Sequence, residues 1–148
     1  MLKASRMKEH NILTESKQIL IRFSEVDSMS IVWHGSYVLY FEDAREAFGR
    51  KYGLTYQTYF DNGFYAPLVD MQFEFKQPLV YGDTARIEIE YVPVQAAKVV
   101  FRYRIFREKD NVLAAAGSTT QVFLDSRYKL VLYNPDFYTE WKRRNNVL

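Results

Sequence analysis

An acid and an imidazole, Asp27 and His34, lie close together in the segment RFSEVDSMSIVWHGSY. This segment follows an alternating apolar stretch and leads into the only long helical pattern in the first two-thirds of the chain. A carboxylate in such a place can act as a general base or a nucleophile, and a histidine can orient a carbonyl or a water. The unpaired N–H groups at a helix start favour developing negative charge. The corner that contains Asp27 and His34 is therefore the candidate catalytic site.

The helix that would position this corner is predicted from Ser36 to about Tyr52. Ser36 is expected to cap its start and Gly53 to end it. Its apolar and aromatic side chains form a stripe that is wide for a helix exposed on one side, which favours a helix wrapped by a curved sheet. The stripe consists of Tyr37, Tyr40, Phe41, Ala44, Ala47, Phe48 and Tyr52.

Alternating apolar residues predict strands on both sides of this helix. Short turns between the later strands imply an antiparallel sheet, and one long helix before four or five strands is an α+β order. The length indicates one domain, 1–148, in which the polar residues 1–16 are predicted to be a flexible arm. The predicted strands are 17–23, 64–77, 84–94, 98–108 and 112–125, with 128–132 as an extension, and shorter helical segments are predicted within 54–62 and from 136 to about 144.

Composition excludes several classes of function. The net charge of +2 is too small to imply a nucleic-acid partner or membrane targeting. The absence of cysteine excludes disulfides and thiolate chemistry, and no apolar run resembles a membrane span or a signal peptide. We therefore expect a soluble, cytoplasmic protein. With two histidines and no HExxH, CxxC, GxSxG, GxGxxG or phosphate-binding loop, we expect neither a metal nor a cofactor.

The run RFSEVDSMSIVWHGSYVLYFEDAR resembles the signature of hotdog-fold acyl-CoA thioesterases of the 4-hydroxybenzoyl-CoA thioesterase type. In this resemblance Asp27 matches the catalytic aspartate, His34 the histidine of one large branch, and Tyr37 the tyrosine of the first helical turn. FEFKQPLVYGDTARIEIEY is similar to the strand, turn and strand of the same family. Two positions depart from the pattern, Glu25 where Asp is common and Ser30 where Gly is usual. Glycine adopts positive φ angles that serine rarely adopts.

The resemblance implies a hotdog fold, in which an antiparallel sheet wraps around one long central helix. It implies hydrolysis of an acyl-CoA to a free acid and CoA, with Asp27 as base or nucleophile and a peptide N–H at the helix entry as the oxyanion donor. Homodimers or homotetramers that pair sheets edge to edge are implied as well. The other candidate substrate contacts are Gly35, Ser36 and Tyr37, with Lys98 and the basic run 142–144 as weaker candidates for a CoA phosphate.

An aspartate and a helix start could suffice for this reaction. The leaving thiol has a pKa of about 8.5, so its departure needs little proton donation. What must be supplied is a nucleophile and stabilisation of the oxyanion. Two alternatives are a hotdog module that binds acyl thioesters without catalysis, and a hotdog hydratase or dehydratase. The position of Asp27 argues against the first, and the spacing of Asp27 and His34 against the second. The acyl chain, the thiol carrier and the choice between base and nucleophile stay open.

Overall fold

The computed structural model describes residues 9–148, and its central element is helix α1, Ser36–Tyr52. These bounds are the predicted ones. The helix ends at Gly53, whose φ of 74° lies in the left-handed region that glycine adopts without steric cost. Along its length, the side chains predicted for the apolar stripe are turned toward the sheet. Those that are fully buried are Tyr37, Tyr40, Phe41, Ala44 and Phe48.

Seven antiparallel strands form the sheet around α1, so the predicted α+β architecture is confirmed. The strands follow the order β1-β4-β5-β6-β2, and β3 and β7 also pair with β6. The strands are β1 Thr14–Leu20, β2 Phe64–Tyr65, β3 Leu68–Phe75, β4 Thr84–Val92, β5 Lys98–Arg107, β6 Val112–Asp125 and β7 Leu130–Val131. The remaining helices are α2 Tyr56–Asp61 and α3 Asp136–Arg144.

The first strand lies earlier in the chain than predicted. It was expected from Lys17 to Phe23, but β1 runs along β4 with Leu20 opposite Thr84, where β4 begins. Beyond Leu20 the chain has no neighbouring strand to pair with. Phe23 therefore belongs to a short 3₁₀ turn, Phe23–Glu25, and its ring is exposed.

The predicted strand 64–77 is divided into β2 and β3 at Ala66 and Pro67. Proline has no N–H to donate to a ladder, which restricts it to the ends and irregular points of strands. The carbonyl of Pro67 still bonds to the sheet, because Val122 N of β6 donates to Pro67 O at 3.1 Å. The division lets β2 pair with the last residues of β6 while β3 pairs with the middle of that strand.

The predicted arm overlaps the ordered sheet. Thr14, Glu15 and Ser16 belong to β1, Leu13 is buried, and Asn11 N donates to Asn146 O at 2.9 Å. The part of the predicted arm from Met1 to Lys8 lies outside the described residues.

Aromatic stacking fixes the helix against the sheet. The Phe41 ring lies 4.0 Å from the Tyr103 ring of β5, nearly parallel to it, and 4.7 Å from the Phe73 ring of β3. Gly117 of β6 makes this approach possible, because a Cβ there would lie 2.1 Å from Gln72 O and 2.8 Å from the Phe41 ring. The helix start is thereby held at one end of the sheet.

One long edge of the sheet is uncovered in the single chain. β3 pairs with β6 on one side, and its other side has no neighbouring strand among residues 9–148. Val69 and Phe75 on this strand are more than half exposed. An edge of this kind is a template for pairing with another chain. No helix in the described part of the chain is long and apolar enough to cross a membrane.

Candidate active site

Asp27 lies in a closed loop whose ends are joined by backbone hydrogen bonds. Asp27 N donates to Ile31 O at 2.8 Å, and Ser30 N donates to Asp27 O at 3.0 Å. The carboxylate oxygen Oδ1 accepts from Met29 N at 2.8 Å and from Ile31 N at 3.4 Å. The other oxygen, Oδ2, has no hydrogen-bond partner among residues 9–148. One oxygen therefore fixes the side chain, and the second makes no hydrogen bond within the described part of the chain.

Ser30 occupies the position at which the family pattern usually has glycine. Its φ is 61°, so the loop keeps the left-handed conformation with serine in place of glycine. Ser30 O accepts from Tyr81 N at 3.0 Å, which ties this turn to the segment before β4. The departure from the pattern thus leaves the loop backbone in the glycine-type conformation.

The carbonyl of Glu25 joins this loop to the helix start. It accepts from Trp33 N at 2.9 Å and from the Ser36 hydroxyl at 3.0 Å. Glu25 is buried, with 6% of the residue exposed, and its Oε1 accepts from Arg22 N at 2.7 Å. Because one carbonyl binds both segments, the Asp27 loop and the first turn of α1 keep a fixed relative position.

The prediction that Ser36 caps α1 is wrong. The residue that flanks the helix is Gly35, and Ser36 is the first helical residue, with its hydroxyl turned inward to Glu25 O. Ser36 N donates to Trp33 O at 2.9 Å and Tyr37 N to His34 O at 3.4 Å. His34 N and Gly35 N have no acceptor in the described part of the chain. Two backbone donors at the helix entry are consequently free.

The Trp33 ring lies directly against Gly35. A Cβ at Gly35 would lie 2.0 Å from the Trp33 ring, although the φ of Gly35, −67°, suits any residue. The same indole lies 4.9 Å from the His34 ring, and both side chains are exposed. A side chain at residue 35 would therefore require the exposed indole to move, whereas the backbone angle itself would accept it.

The Tyr37 ring lies inside the fold. It packs 5.0 Å from the Phe75 ring and 5.7 Å from the Tyr40 ring, and burial raises the pKa of Tyr37 to about 12. A phenol with such a pKa stays neutral at ordinary pH. It could therefore contribute to a site only as a neutral hydrogen-bonding group.

The basic candidates lie away from Asp27 within one chain. β5 begins at Lys98, while its other end, Arg107, donates to Pro78 O near the corner. At about 3.3 Å per residue, Lys98 is close to 30 Å from that end. In the run 142–144, Lys142 is buried and donates to Val94 O at 2.8 Å, whereas Arg143 and Arg144 are exposed.

Two residues that sequence reasoning missed lie beneath the helix entry. From the sequence, Glu25 is only a departure from the family pattern in or near the first strand. Tyr40 is only a member of the apolar stripe of the helix. The Tyr40 hydroxyl is buried without a hydrogen-bond partner among residues 9–148. Burial, and secondly the charge of Glu25, raise the pKa of Tyr40 well above its usual value. Only the fold brings these two residues together, so no local sequence signal could have shown it.

The corner combines an acid with one free oxygen, two free backbone N–H groups and a helix whose inner face is buried against the sheet. Such a site can stabilise an oxyanion while a carboxylate activates water or attacks carbon. Among residues 9–148, no group of three or more His, Asp or Glu side chains is placed to hold a metal ion. These features define a hotdog-fold protein with a site suited to acyl transfer.

The chain belongs to the thioesterase-like superfamily, whose family model matches residues 21–141. It is 28% identical over 130 residues to the Bacillus subtilis protein named "Putative acyl-CoA thioesterase YneP", covering 86% of this chain and 94% of that one. An Aquifex aeolicus protein named "Putative esterase" is 31% identical over 75% of this chain and 84% of its own length. The crystal structure of DHNA-CoA thioesterase from Staphylococcus aureus matches with a TM-score of 0.78 and 26% identity, covering 88% of this chain and 90% of that one. The resemblance and the hotdog fold are thus confirmed.

The conformation of Ser30 leads to a first prediction, on stability. Ser30→Gly should keep or slightly raise the free energy of unfolding, because glycine adopts a φ of 61° without steric cost. Ser30→Val should lower it by about 1–2 kcal/mol, because a β-branched residue is strained in this region. Urea unfolding of the three proteins measures the difference. Equal stability of the valine and glycine variants would contradict the loop conformation described here.

Proposed function

We propose that this protein hydrolyses acyl-CoA thioesters to a free carboxylic acid and CoA. The observation that carries the proposal is the corner itself, where the free Oδ2 of Asp27 and the free N–H groups of His34 and Gly35 are held together through Glu25 O. The family supports the same chemistry, because relatives and solved structures that match most of the chain are named as CoA thioester hydrolases.

The reaction follows from the two kinds of group in the corner. The thioester carbonyl oxygen would accept from His34 N and Gly35 N, which stabilise the negative charge that develops on it. In one route Asp27 Oδ2 takes a proton from water while the water oxygen bonds to the carbonyl carbon. The C–S bond then breaks, and the thiolate leaves and is protonated. In the other route Oδ2 itself bonds to the carbon, the C–S bond breaks and the thiolate leaves, and water hydrolyses the resulting anhydride to the free acid and the Asp27 carboxylate.

The His34 side chain has a lesser role in this proposal than its backbone. Its imidazole is exposed beside Trp33 and has no hydrogen-bond partner among residues 9–148, so nothing in the single chain orients it toward Asp27. An N–H group acts at the helix entry whatever side chain it carries. The imidazole could assist by orienting the carbonyl or a water. Replacing His34 by alanine separates this side-chain contribution from that of the backbone N–H.

We also propose that the active form is a homodimer in which β3 pairs with the β3 of a second copy. The free edge and the exposed apolar side chains of this strand support it. Antiparallel pairing about a twofold axis places the start of one β3, Leu68, opposite the end of the other, Phe75. Because the Phe75 ring contacts Tyr37 in the first turn of α1, the partner's chain would border the catalytic corner.

The second prediction concerns Asp27. Asp27→Asn keeps the size of the side chain and its hydrogen bonds to the loop but removes the charge that activates water or attacks carbon. We expect kcat to fall by at least about 10² while KM changes little, since the oxyanion donors remain. Release of free thiol from a panel of acyl-CoAs measures both. Hydrolysis at near the parent rate would refute this mechanism, and tight binding of acyl-CoA by the parent without turnover would indicate the binding module instead.

The third prediction isolates the backbone donor at the helix entry. Gly35→Ala and Gly35→Pro both add a Cβ against the Trp33 ring, but only proline removes the N–H. We expect kcat for the proline variant to lie about 10²-fold below that of the alanine variant, with His34→Ala near the parent. Circular dichroism must show that each variant is folded. Equal rates for the alanine and proline variants would mean that Gly35 N is not an oxyanion donor.

The fourth prediction tests the dimer by its mass. Sedimentation equilibrium at micromolar concentration should give at least twice the chain mass of 17.6 kDa. Burial of the β3 edge and its apolar side chains provides the free energy of association. A protein that sediments only as a 17.6 kDa monomer and is nevertheless fully active would contradict a site bordered by two chains.

A further inference from the structure

Four aromatic rings, three of them exposed and one half-buried, form a continuous row at the end of the sheet opposite Asp27. The Tyr56 and Phe60 rings of α2 stack 6.3 Å apart, and the Phe60 ring lies edge-on 6.3 Å from Tyr65 of β2. The Tyr65 ring in turn stacks on Tyr128 at 5.1 Å. Tyr56 is 71% exposed, Phe60 51% and Tyr128 70%. We call these four residues the aromatic row.

Tyr128 lies in a turn whose backbone conformation is sterically unfavourable for an aromatic residue. Tyr128 has a φ of 61°, in the left-handed region where bulky side chains are rare. Asp125 holds the turn, because its Oδ1 accepts from Arg127 N at 2.8 Å and from Lys129 N at 3.1 Å. These backbone hydrogen bonds, the one from Lys129 first, keep the pKa of Asp125 below its usual value. Strain of this kind persists where the surrounding structure enforces it and is frequent at binding sites.

Two cations flank the ring in the same turn. Arg127 and Lys129 are both exposed, and neither has an ion-pair partner among residues 9–148. Exposed arginines elsewhere on the sheet do form ion pairs, Arg102 with Glu90 and Arg104 with Glu88. The turn therefore presents a flat aromatic surface and an excess of one positive charge, from Arg127 and Lys129 against the Asp125 carboxylate. That combination suits a planar base that carries phosphates.

We propose that the aromatic row binds the adenine base of CoA, with the phosphates of the nucleotide near Arg127 and Lys129. An exposed aromatic face stacks on any base, and guanidinium and ammonium groups attract phosphate. The inference rests on the proposed function, whose substrate supplies an adenine nucleotide with three phosphates. It adds the residues that hold that nucleotide.

In the proposed dimer, the aromatic row of one chain binds the nucleotide of a CoA whose thioester lies in the catalytic corner of the second copy. It does not serve the corner of its own chain. Helix α1 spans about 25 Å from the corner to the end that precedes α2. Tyr65 lies just before β3, and antiparallel pairing of two β3 strands places the start of one strand beside the end of the other. A CoA whose thioester lies at Gly35 could therefore extend along the β3 edge to the row of the partner.

A pair of substrates with the same acyl group tests the proposal. Acyl-CoA carries the nucleotide, and acyl-pantetheine lacks it. Tyr56→Ser with Tyr128→Gly removes two exposed rings, and glycine fits the φ of residue 128 without strain. We expect KM for acyl-CoA to rise about tenfold or more with kcat unchanged, and KM for acyl-pantetheine to stay within about twofold of the parent value. Arg127→Ser with Lys129→Ser should show the same selectivity and weaken the salt dependence of KM for acyl-CoA.

Tyr133→Ser is the matched control, because Tyr133 is similarly exposed, at 65%, and makes no ring contact with the row. It should leave KM for both substrates unchanged. An unchanged KM for acyl-CoA in the Tyr56→Ser, Tyr128→Gly variant would overturn the proposal, and so would an equal rise for both substrates. A variant that sediments with a smaller mass at unchanged KM would show that the row joins copies of the chain, which also overturns it.

Direct binding separates this inference from the proposed function. Titration calorimetry with adenosine 3′,5′-bisphosphate, which has the base and two of the three phosphates of the CoA nucleotide, needs no turnover. We expect the nucleotide to bind about tenfold more weakly to the Tyr56→Ser, Tyr128→Gly variant and with unchanged affinity to Tyr133→Ser. That result would support the proposal for the row even if the parent hydrolysed no thioester. The opposite outcome is also informative. If the parent hydrolyses acyl-CoA but the substitutions in the row do not weaken binding of the nucleotide, the proposed function stands and the proposal for the row is overturned.

Discussion

The close contact between Phe41 and the sheet is the constraint on which the rest of the structure depends. The ring stacks between Tyr103 and Phe73, and it can do so only because Gly117 has no side chain. Stacked rings at this spacing contribute packing energy beyond the area that they bury. A helix held so near the sheet has a fixed direction and a fixed start. That packing fixes where the helix start lies on the sheet, and the hydrogen bonds to Glu25 O then fix it relative to the Asp27 loop.

The polar groups of the corner are of two kinds, those that hold it together and those that have no partner among residues 9–148. Glu25 O binds both Trp33 N and the Ser36 hydroxyl, and Asp27 Oδ1 binds its own loop. His34 N, Gly35 N and Asp27 Oδ2 take no part in these bonds. Backbone donors that lack an intramolecular partner usually bind water or a ligand. A rigid frame that leaves three groups free in this way is what catalysis by preorganised dipoles requires.

The β3 edge links this corner to the other end of the molecule. An antiparallel strand pair about a twofold axis joins unlike ends, so the proposed dimer would bring the end of one chain that carries Tyr65 and Tyr128 to the catalytic end of the other. This arrangement would let a small domain bind a long substrate, with chemistry at one subunit and nucleotide binding at its neighbour. It would also explain why β3 keeps apolar side chains exposed in the single chain.

The sequence by itself determined the elements whose signals are local. The bounds of α1 and α3, and the span of β6, follow from periodicity and from end signals such as Gly53 and Pro135, and the motif around Asp27 indicated the family. Tertiary structure alone decided where β1 ends, because Leu20 loses its partner where β4 begins at Thr84. It also turned the Ser36 hydroxyl to Glu25 O instead of the helix N–H groups, and it assembled the aromatic row. Each of these outcomes depends on contacts between residues distant in sequence or on the direction of a side chain, and local patterns contain information on neither.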